Sequence, residues 1–363
     1  MSEKAVTEEK RVFMTGNEVV AWAALAAGAD IMYGYPITPQ NEVMHYWTRL
    51  APKYDKKFLQ TEDELSAGFA TAGGVMAGRK AFTATAGSGS VLMQEPMAMA
   101  EMMRLPTVAV LQQRGGPSTA TVIYSQQEVT LTTIGGNGEG MRVVYSTAGH
   151  QELYDYTIKA FNTAWKYRFP TFVLGDGYQA KMREPLTIYD PETRGISLLE
   201  PEPFVGKEGE PGKDRPPAQY RNTFNLEEEL YEKVMSDIRE FEKVAPEIAE
   251  YESMETEGAE LVVIAHGIVF RAVREAVANL RQQRFRVGGF RPVTLRPLPV
   301  TQIKELVAGA PKILLVESSY GQMARLLKEV ACGSATEIST FFKPGVGITA
   351  GEVEARVKEI IKS

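Results

Sequence analysis

The sequence is poor in the side chains that ligate metals. Its 363 residues include one cysteine, Cys332, and three histidines without metal-ligand spacing. One cysteine excludes an internal disulfide, a cysteine-based zinc site and an iron–sulfur cluster, which needs about four thiolates. The chain has neither an apolar run of about 18 residues for a membrane span nor the apolar segment of a secretory signal. Its net charge of −6 argues against a nucleic-acid surface. We expect a cytoplasmic protein that has no metal site and that binds neither a membrane nor nucleic acid.

Short apolar runs alternate with segments of helical periodicity, which is typical of an α/β fold with a mostly parallel sheet. The pattern predicts two α/β domains, over residues 12–188 and 258–363. The predicted strands are 31–35, 81–86, 107–112, 171–174, 261–265, 285–290 and 312–316. The predicted helices are 17–27, 62–77, 90–104, 151–166 and 268–281. Asn17 is the expected cap of the first of these helices.

Residues 189–257 are predicted to be a proline-rich linker followed by a helix. Seven prolines between positions 185 and 217 exclude a regular element there. Asn225 and Glu228 have the spacing of a capping box, which indicates a helix start.

The segment 34–42 (GYPITPQNE) follows a predicted strand. In an open parallel sheet, ligands bind at the carboxyl ends of strands. Pro36 and Pro39 stiffen the loop, so that Thr38 is held where its hydroxyl can meet a ligand. The alternative is a rigid turn in which Thr38 caps a helix and Pro39 occupies its first position.

Three consecutive acids, Glu62, Asp63 and Glu64, open the predicted helix 62–77. Acids at a helix N-terminus suit its dipole, and this alone can explain the cluster. The rest of this helix consists mainly of small apolar residues, however, which predicts that it is buried. An acid entering a buried helix needs a partner or has a raised pKa.

Two further strand ends carry candidate residues. Arg114 ends an apolar strand and precedes two glycines; arginine binds carboxylates in a bidentate manner, although a structural pair with Glu128 or Glu139 is the alternative. Gly87 and Ser88 lie in the segment 86–90 (AGSGS), which resembles a phosphate cradle but lacks the P-loop lysine. A tight strand-to-helix turn is the alternative there.

Five segments in this order and spacing resemble the α subunits of 2-oxoacid:ferredoxin oxidoreductases. The resemblance covers nearly the whole chain and is nearest to the 2-oxoisovalerate type, with a Gly-Pro-Ser-Thr variant similar to the 2-oxoglutarate type. The segments are 34–42 (GYPITPQNE), 60–67 (QTEDELSA), 114–118 (RGGPS), 167–177 (YRFPTFVLGDG) and 290–299 (FRPVTLRPLP).

The resemblance implies a thiamine-diphosphate-binding fold of the pyrimidine type, followed by a transketolase C-terminal-like domain. Enzymes of this family oxidatively decarboxylate a 2-oxo acid to an acyl-coenzyme A and CO2, and they pass the electrons to ferredoxin. It implies that a β subunit holds the diphosphate and Mg2+, and that the [4Fe-4S] clusters lie on partners, including γ and ferredoxin-like subunits. The scarcity of cysteine in this chain agrees with that division.

The resemblance also assigns roles to individual residues. It places at Glu64 the carboxyl that hydrogen-bonds N1′ of the aminopyrimidine ring, with Glu62 as the alternative if the register shifts by two. It assigns Arg114 and Thr38 to the substrate carboxylate and 2-oxo group. We expect further contacts from the same loops: Pro36, Ile37, Ser118 and Thr119 to the substrate, and Thr38, Gly87 and Ser88 to the cofactor.

The loop after Arg114 departs from both subtypes. It contains Ile123 and Tyr124 but no second Arg or Lys to hold a distal carboxylate. We therefore expect a branched-chain or aromatic 2-oxo acid, such as phenylglyoxylate, with 2-oxoglutarate or pyruvate as the alternative. Two further hypotheses are a transketolase-like thiamine enzyme without electron export and a non-catalytic assembly subunit.

Overall fold

The computed structural model describes residues 6–205 and 220–362. The strands are β1 (Lys10–Thr15), β2 (Ile31–Gly34), β3 (Lys57–Gln60), β4 (Ala81–Thr85), β5 (Val108–Gln113), β6 (Val143–Ser146), β7 (Thr171–Asp176), β8 (Arg183–Ile188), β9 (Tyr251–Met254), β10 (Leu261–Ile264), β11 (Val287–Pro292), β12 (Thr294–Arg296), β13 (Lys312–Glu317) and β14 (Glu337–Phe342). The helices are α1 (Gly16–Ala26), α2 (Asn41–Leu50), α3 (Glu64–Met76), α4 (Ser88–Leu92), α5 (Gln94–Met102), α6 (Val129–Ile134), α7 (His150–Tyr167), α8 (Gly177–Lys181), α9 (Glu227–Ile248), α10 (Val269–Gln282), α11 (Val300–Gly309), α12 (Gln322–Val330) and α13 (Ala350–Lys362).

A seven-stranded sheet forms the first half of the molecule, in the order β12-β6-β7-β5-β4-β2-β3. Its strands are parallel except β12, which pairs antiparallel with β6. On one face, Trp47 packs edge-to-face on Phe82, and Phe82 packs in turn on Phe161. The parallel register places the carboxyl ends of β2, β3, β4 and β5 at one edge, as the alternating sequence pattern predicts.

A five-stranded sheet forms the second half, in the order β14-β13-β10-β11-β9. β9 begins at Tyr251, ahead of the predicted domain start at residue 258. The strand β12, although it follows β11 directly along the chain, belongs to the first sheet. It has only three residues, with a proline on each side of it at positions 292 and 297, and so gives no period-2 signal. The boundaries 12–188 and 258–363 stay a prediction.

Three predicted helix starts are wrong. Thr15, not Asn17, caps α1 with its side chain, because the Asn17 amide is buried and donates to the carbonyl of Pro39 and to Glu42. Helix α2 starts at residue 41, so Thr38 is not its cap and Pro39 not its first residue. Helix α9 starts at residue 227 without a side-chain cap, so the expected capping box is absent.

The predicted helix 90–104 consists of two helices, α4 and α5, which meet at Met93. Pro96 lies in the first turn of α5, where its missing N–H has no intrahelical partner to lose. The break thus falls just ahead of the one residue that a helix interior tolerates poorly.

The proline-rich region is more regular at its start than predicted. Pro185 lies in β8, which pairs antiparallel with β1 in a separate two-stranded sheet. Such a strand has a free edge and tolerates the missing N–H of a proline. Residues 206–219 of the predicted linker, which include Pro211, Pro216 and Pro217, lie outside the described part of the chain. No helix in the described ranges is long and apolar enough to cross a membrane.

The buried side chain of Gln126 makes one of several contacts that join the two sheets. Its backbone N–H donates to the carbonyl of Ser318, and the backbone N–H of Ser318 donates to the Gln126 amide oxygen, both at 3.0 Å. The Gln126 amide nitrogen donates to the carbonyl of His266 at 2.8 Å. Ser318 directly follows β13, and His266 lies two residues after the end of β10. This side chain therefore holds two strand ends of the second sheet against the loop after β5.

Replacing Gln126 by alanine is expected to lower the free energy of unfolding by about 1–3 kcal/mol, because the buried groups it satisfies lose their partners. Urea denaturation of wild type and Gln126→Ala measures the difference. Gln283→Ala, at an exposed position, is the control. Equal unfolding free energies for the two variants would contradict the role of Gln126.

Candidate active site

The predicted site residues follow four neighbouring strands of the first sheet. Thr38 follows β2, Glu64 follows β3, Gly87 and Ser88 follow β4, and Arg114 follows β5. Because these strands are adjacent and parallel, loops far apart in sequence meet at one edge of the sheet.

The three acids at the start of α3 have different environments. Glu62 is exposed, and Asp63 is the N-cap of α3, where its carboxylate accepts from the N–H of Ser66 at 2.7 Å. Glu64 is only 4% exposed. Burial raises the pKa of the Glu64 carboxyl, the negative charge of Asp63 raises it further, and the charge of Arg114 opposes them. Only Glu64 has the environment of a group that exchanges a proton.

A glycine makes room for the Glu64 carboxyl. A Cβ atom at Gly89 would lie 2.3 Å from Glu64 Oε1 and 2.3 Å from Thr85 Oγ1. The loop between β4 and α4 therefore lies directly on the carboxyl. The Thr85 hydroxyl is buried and has no hydrogen-bond partner among the described residues.

The Arg114 guanidinium joins two of the predicted loops. Its Nη1 donates to the carbonyl of Thr38 at 2.8 Å, and its Nη2 donates to Ser88 Oγ at 3.4 Å. The Thr38 carbonyl, rather than its hydroxyl, makes this contact. Gly87 has a φ of +56°, and a Cβ atom there would lie 2.1 Å from Arg114 Nε. The missing side chain at position 87 therefore permits the observed position of the arginine.

The alternative ion pair between Arg114 and Glu128 or Glu139 does not form. Within the described ranges, no carboxylate lies within ion-pair distance of the guanidinium. Glu128 instead accepts from the backbone N–H of Arg114 at 2.9 Å, from the N–H of Gly87 at 2.8 Å and from the Ser90 hydroxyl. Burial raises the pKa of Glu128, and these three donors lower it. No functional signal for Glu128 is visible in the sequence, because the partners of this carboxylate lie 14 to 41 residues away along the chain.

The other predicted contacts remain outside this cluster. Pro36, Ser118 and Thr119 are exposed, and Ile37 is half-buried. Within the described part of the chain, no hydrogen bond or ion pair joins these four side chains to Glu64, Thr38 or Arg114. Their predicted contact with a substrate stays a prediction.

The site has donors and acceptors for an organic ligand. It presents the buried carboxyl of Glu64, the guanidinium of Arg114, whose Nε is buried and has no hydrogen-bond partner, and backbone groups of two glycine-containing loops. Among the described residues, no group of three or more His, Cys, Asp or Glu side chains is placed to hold a metal ion.

Comparison with known families agrees with this arrangement. Residues 22–257 match the family model of the thiamine-diphosphate-binding domain of pyruvate flavodoxin/ferredoxin oxidoreductases. Residues 259–357 match core domain II of pyruvate:ferredoxin oxidoreductase. The chain belongs to the 2-oxoacid:ferredoxin oxidoreductase family. It is an α subunit of such an enzyme, as its sequence motifs predict.

Curated relatives extend over most of the chain. The 2-oxoglutarate synthase subunit KorA of Methanocaldococcus jannaschii is 34% identical over 92% of this chain and 95% of its own length. The ketoisovalerate oxidoreductase subunit VorB of Methanothermobacter thermautotrophicus is 33% identical over 85% of this chain and 86% of its own length.

A solved structure has the same fold. The 2-oxoglutarate:ferredoxin oxidoreductase from Magnetococcus marinus, with 2-oxoglutarate, coenzyme A and succinyl-CoA bound, matches with a TM-score of 0.84 and 27% identity. The match covers 97% of this chain and 65% of the longer Magnetococcus chain. The predicted α/β thiamine-diphosphate fold is thereby confirmed.

The contact between Gly89 and Glu64 can be tested by adding one methyl group. Gly89→Ala is expected to lower the unfolding free energy by about 1–3 kcal/mol, because its Cβ overlaps Glu64 and Thr85 in a packed interior. Gly73→Ala, in the same helix as Glu64, is the control: its Cβ meets nothing within 4 Å, and alanine in a helix is about 1 kcal/mol more favourable than glycine. Equal stability of the two variants in urea denaturation would show that the loop does not lie on the carboxyl.

Proposed function

We propose that this α subunit forms the aminopyrimidine side of a thiamine diphosphate site and binds the carboxylate of a 2-oxo acid beside it. One observation carries the proposal: a buried acid, Glu64, lies beneath a glycine loop, and a guanidinium without a carboxylate partner among the described residues lies at the same sheet edge. A buried acid is suited to general acid–base catalysis, and a free guanidinium is suited to binding a carboxylate.

The residues present fit an aminopyrimidine ring and its substrate. Glu64 is out of water, so its proton can be shared with a ring nitrogen. The buried Nε of Arg114 and hydroxyl of Thr85 leave donor capacity that a polar ligand would use. When bound, thiamine diphosphate supplies the carbon nucleophile that attacks the 2-oxo group.

Glu64 would hold a proton at N1′ of the aminopyrimidine. Burial raises the pKa of Glu64, which favours the protonated carboxyl that can share its proton with a ring nitrogen. The Gly89 loop covers the carboxyl and fixes the direction in which it can form this bond. Glu62, exposed two residues earlier, lacks such an environment.

Arg114 would hold the carboxylate of the 2-oxo acid. The Thr38 carbonyl and the Ser88 hydroxyl orient the guanidinium without neutralising it, since neither carries a charge. A positive charge at this point binds the substrate before CO2 leaves, and an orientation fixed in advance lowers the entropy cost of binding.

Partner subunits would complete the enzyme. The described part of the chain has no cluster of metal-ligating side chains, and Gly87 and Ser88 bond Glu128 and Arg114 rather than standing free for a diphosphate. We infer that a β subunit holds the diphosphate and Mg2+, that [4Fe-4S] clusters on partners carry the electrons to ferredoxin, and that coenzyme A accepts the acyl group. Iron in the purified complex separates this proposal from a transketolase-like enzyme without electron export.

For the substrate, two candidates rest on different observations. The loop 115–125 has no Arg or Lys and exposes Val122 and Ile123, which favours a branched-chain or aromatic 2-oxo acid. The names of the KorA relatives and of the Magnetococcus structure favour 2-oxoglutarate. Turnover of the complex with pyruvate, 2-oxoisovalerate, 2-oxoglutarate, indolepyruvate and phenylglyoxylate decides between them.

Glu64→Gln is expected to lower turnover of the assembled complex by about 10²–10⁴-fold, the usual contribution of a general acid–base group. The complex should still assemble, since glutamine has nearly the same shape. The matched control is Glu62→Gln, which changes an exposed acid at the start of the same helix and should leave turnover unchanged. Loss of turnover in the Glu62 variant and not in the Glu64 variant would overturn the assignment.

Arg114→Ala is expected to raise the KM for the 2-oxo acid by about 10–100-fold, because a charge-assisted bidentate contact is lost. Arg114→Lys should recover part of the affinity, since it restores the charge but not the planar fork. Steady-state kinetics at saturating thiamine diphosphate measures both. An unchanged KM in Arg114→Ala would exclude Arg114 as the carboxylate anchor.

A further inference from the structure

Glu128 is a buried acid for which the proposed reaction has no direct use. Its side chain is 5% exposed. The three groups that donate hydrogen bonds to its carboxylate are uncharged: the backbone N–H groups of Gly87 and Arg114 and the hydroxyl of Ser90. The charge of Arg114 lowers the pKa of Glu128, but in the described ranges no cation lies within ion-pair distance of this carboxylate. A buried carboxylate without such an ion pair is costly, so its position needs a specific explanation.

The donors come from the two loops that form the candidate site. Gly87 and Ser90 flank Ser88, which receives a hydrogen bond from Arg114, and Gly89, which lies on Glu64. The Arg114 N–H is the first backbone group after β5. Oε1 of Glu128 therefore binds the loop after β4, and Oε2 binds the chain where the arginine side chain starts.

Glu128 itself is held rigidly. Its backbone N–H donates to the Gln113 side chain at 3.3 Å, and its carbonyl accepts from the Thr132 hydroxyl at 2.6 Å. The carboxylate is thus fixed at the start of α6, and the positions of both loops follow from it.

The carboxylate binds the backbone of Arg114 and leaves the guanidinium without a carboxylate partner in the described ranges. An ion pair would hold the guanidinium in place and also occupy it. Bonds to the backbone instead fix where the side chain starts, while Gly87 leaves room for Nε to lie against the loop.

We infer that Glu128 is a positioning residue for substrate binding: it holds the Arg114 backbone and the 87–90 loop in register so that the guanidinium faces the carboxylate of the 2-oxo acid. This inference rests on the proposed function. It differs from a purely structural role, in which Glu128 would stabilise the fold with no specific effect on the arginine.

A double-mutant cycle on the assembled complex separates these two roles. The variants are Glu128→Gln, Arg114→Ala and the double variant, and the readouts are KM for the 2-oxo acid, turnover and melting temperature. In Glu128→Gln, an amide N–H replaces one acceptor oxygen and faces a donor, so at least one hydrogen bond is lost. KM should rise by about tenfold, the usual effect of one lost bond to a buried charged group.

If Glu128 acts through Arg114, the same change in the Arg114→Ala background should move KM by less than about twofold, since the group being positioned is gone. Equal effects of Glu128→Gln on KM in the two backgrounds would overturn the inference. Ser90→Ala, which removes one donor and leaves Glu128 in place, should give a smaller KM increase in the same direction and serves if Glu128→Gln does not fold.

The matched control is Glu101→Gln. Glu101 is as buried as Glu128, but it forms an ion pair with Arg142. The Glu101→Gln variant should have a lower melting temperature and an unchanged KM. If its KM rose as much as that of Glu128→Gln, the KM increase in Glu128→Gln would reflect general destabilisation.

A failure of the proposed function can be told apart from a failure of this inference, because Arg114→Ala alone would then leave KM unchanged. If Arg114→Ala raises KM and the cycle shows no coupling, only the role of Glu128 falls.

Discussion

The burial of one carboxyl group, that of Glu64, is the constraint on which the site depends. An acid is kept out of water here by a glycine at position 89, whose Cβ would lie 2.3 Å from the carboxyl oxygen. The consequence is a raised pKa and a fixed direction for its hydrogen bond. A second glycine, Gly87, gives Arg114 its space in the same way. Two glycines in one short loop thus set both the proton-exchanging group and the cation of the proposed site.

The parallel sheet explains why these groups meet. Thr38, Glu64, Gly87 and Arg114 each follow a different strand, and the four strands are neighbours in one sheet. The hydrogen bonds of Glu128 and of the arginine then join the loops to each other. Gln126, in the loop that begins at Arg114, makes one of the contacts to the second sheet. This loop therefore contributes both to the interface between the sheets and to the site.

The sequence was sufficient to predict the α/β class and the family, because strand–helix alternation and the motifs are local signals; the roles of the four loops stay a prediction. The apolar character of the helix that follows predicted a poorly solvated acid at its start, and the family resemblance, not the pattern, assigned the role to Glu64. The sequence could not predict β12, three residues long and paired with a strand about 150 residues earlier. Nor could it predict the role of Glu128, since that carboxylate bonds loops brought together only by folding. The cap was misassigned at Asn17 because the buried amide of this residue binds Pro39 and Glu42 instead. At Asn225 the helix starts two residues later, without a side-chain cap.

The most direct test of the account is an experimental structure of the assembled complex with thiamine diphosphate bound. The account predicts a Glu64 carboxyl oxygen within hydrogen-bond distance, about 2.6–3.2 Å, of N1′ of the aminopyrimidine ring. A ring bound elsewhere, or an N1′ that meets solvent or another side chain while Glu64 stays beneath Gly89, would contradict it.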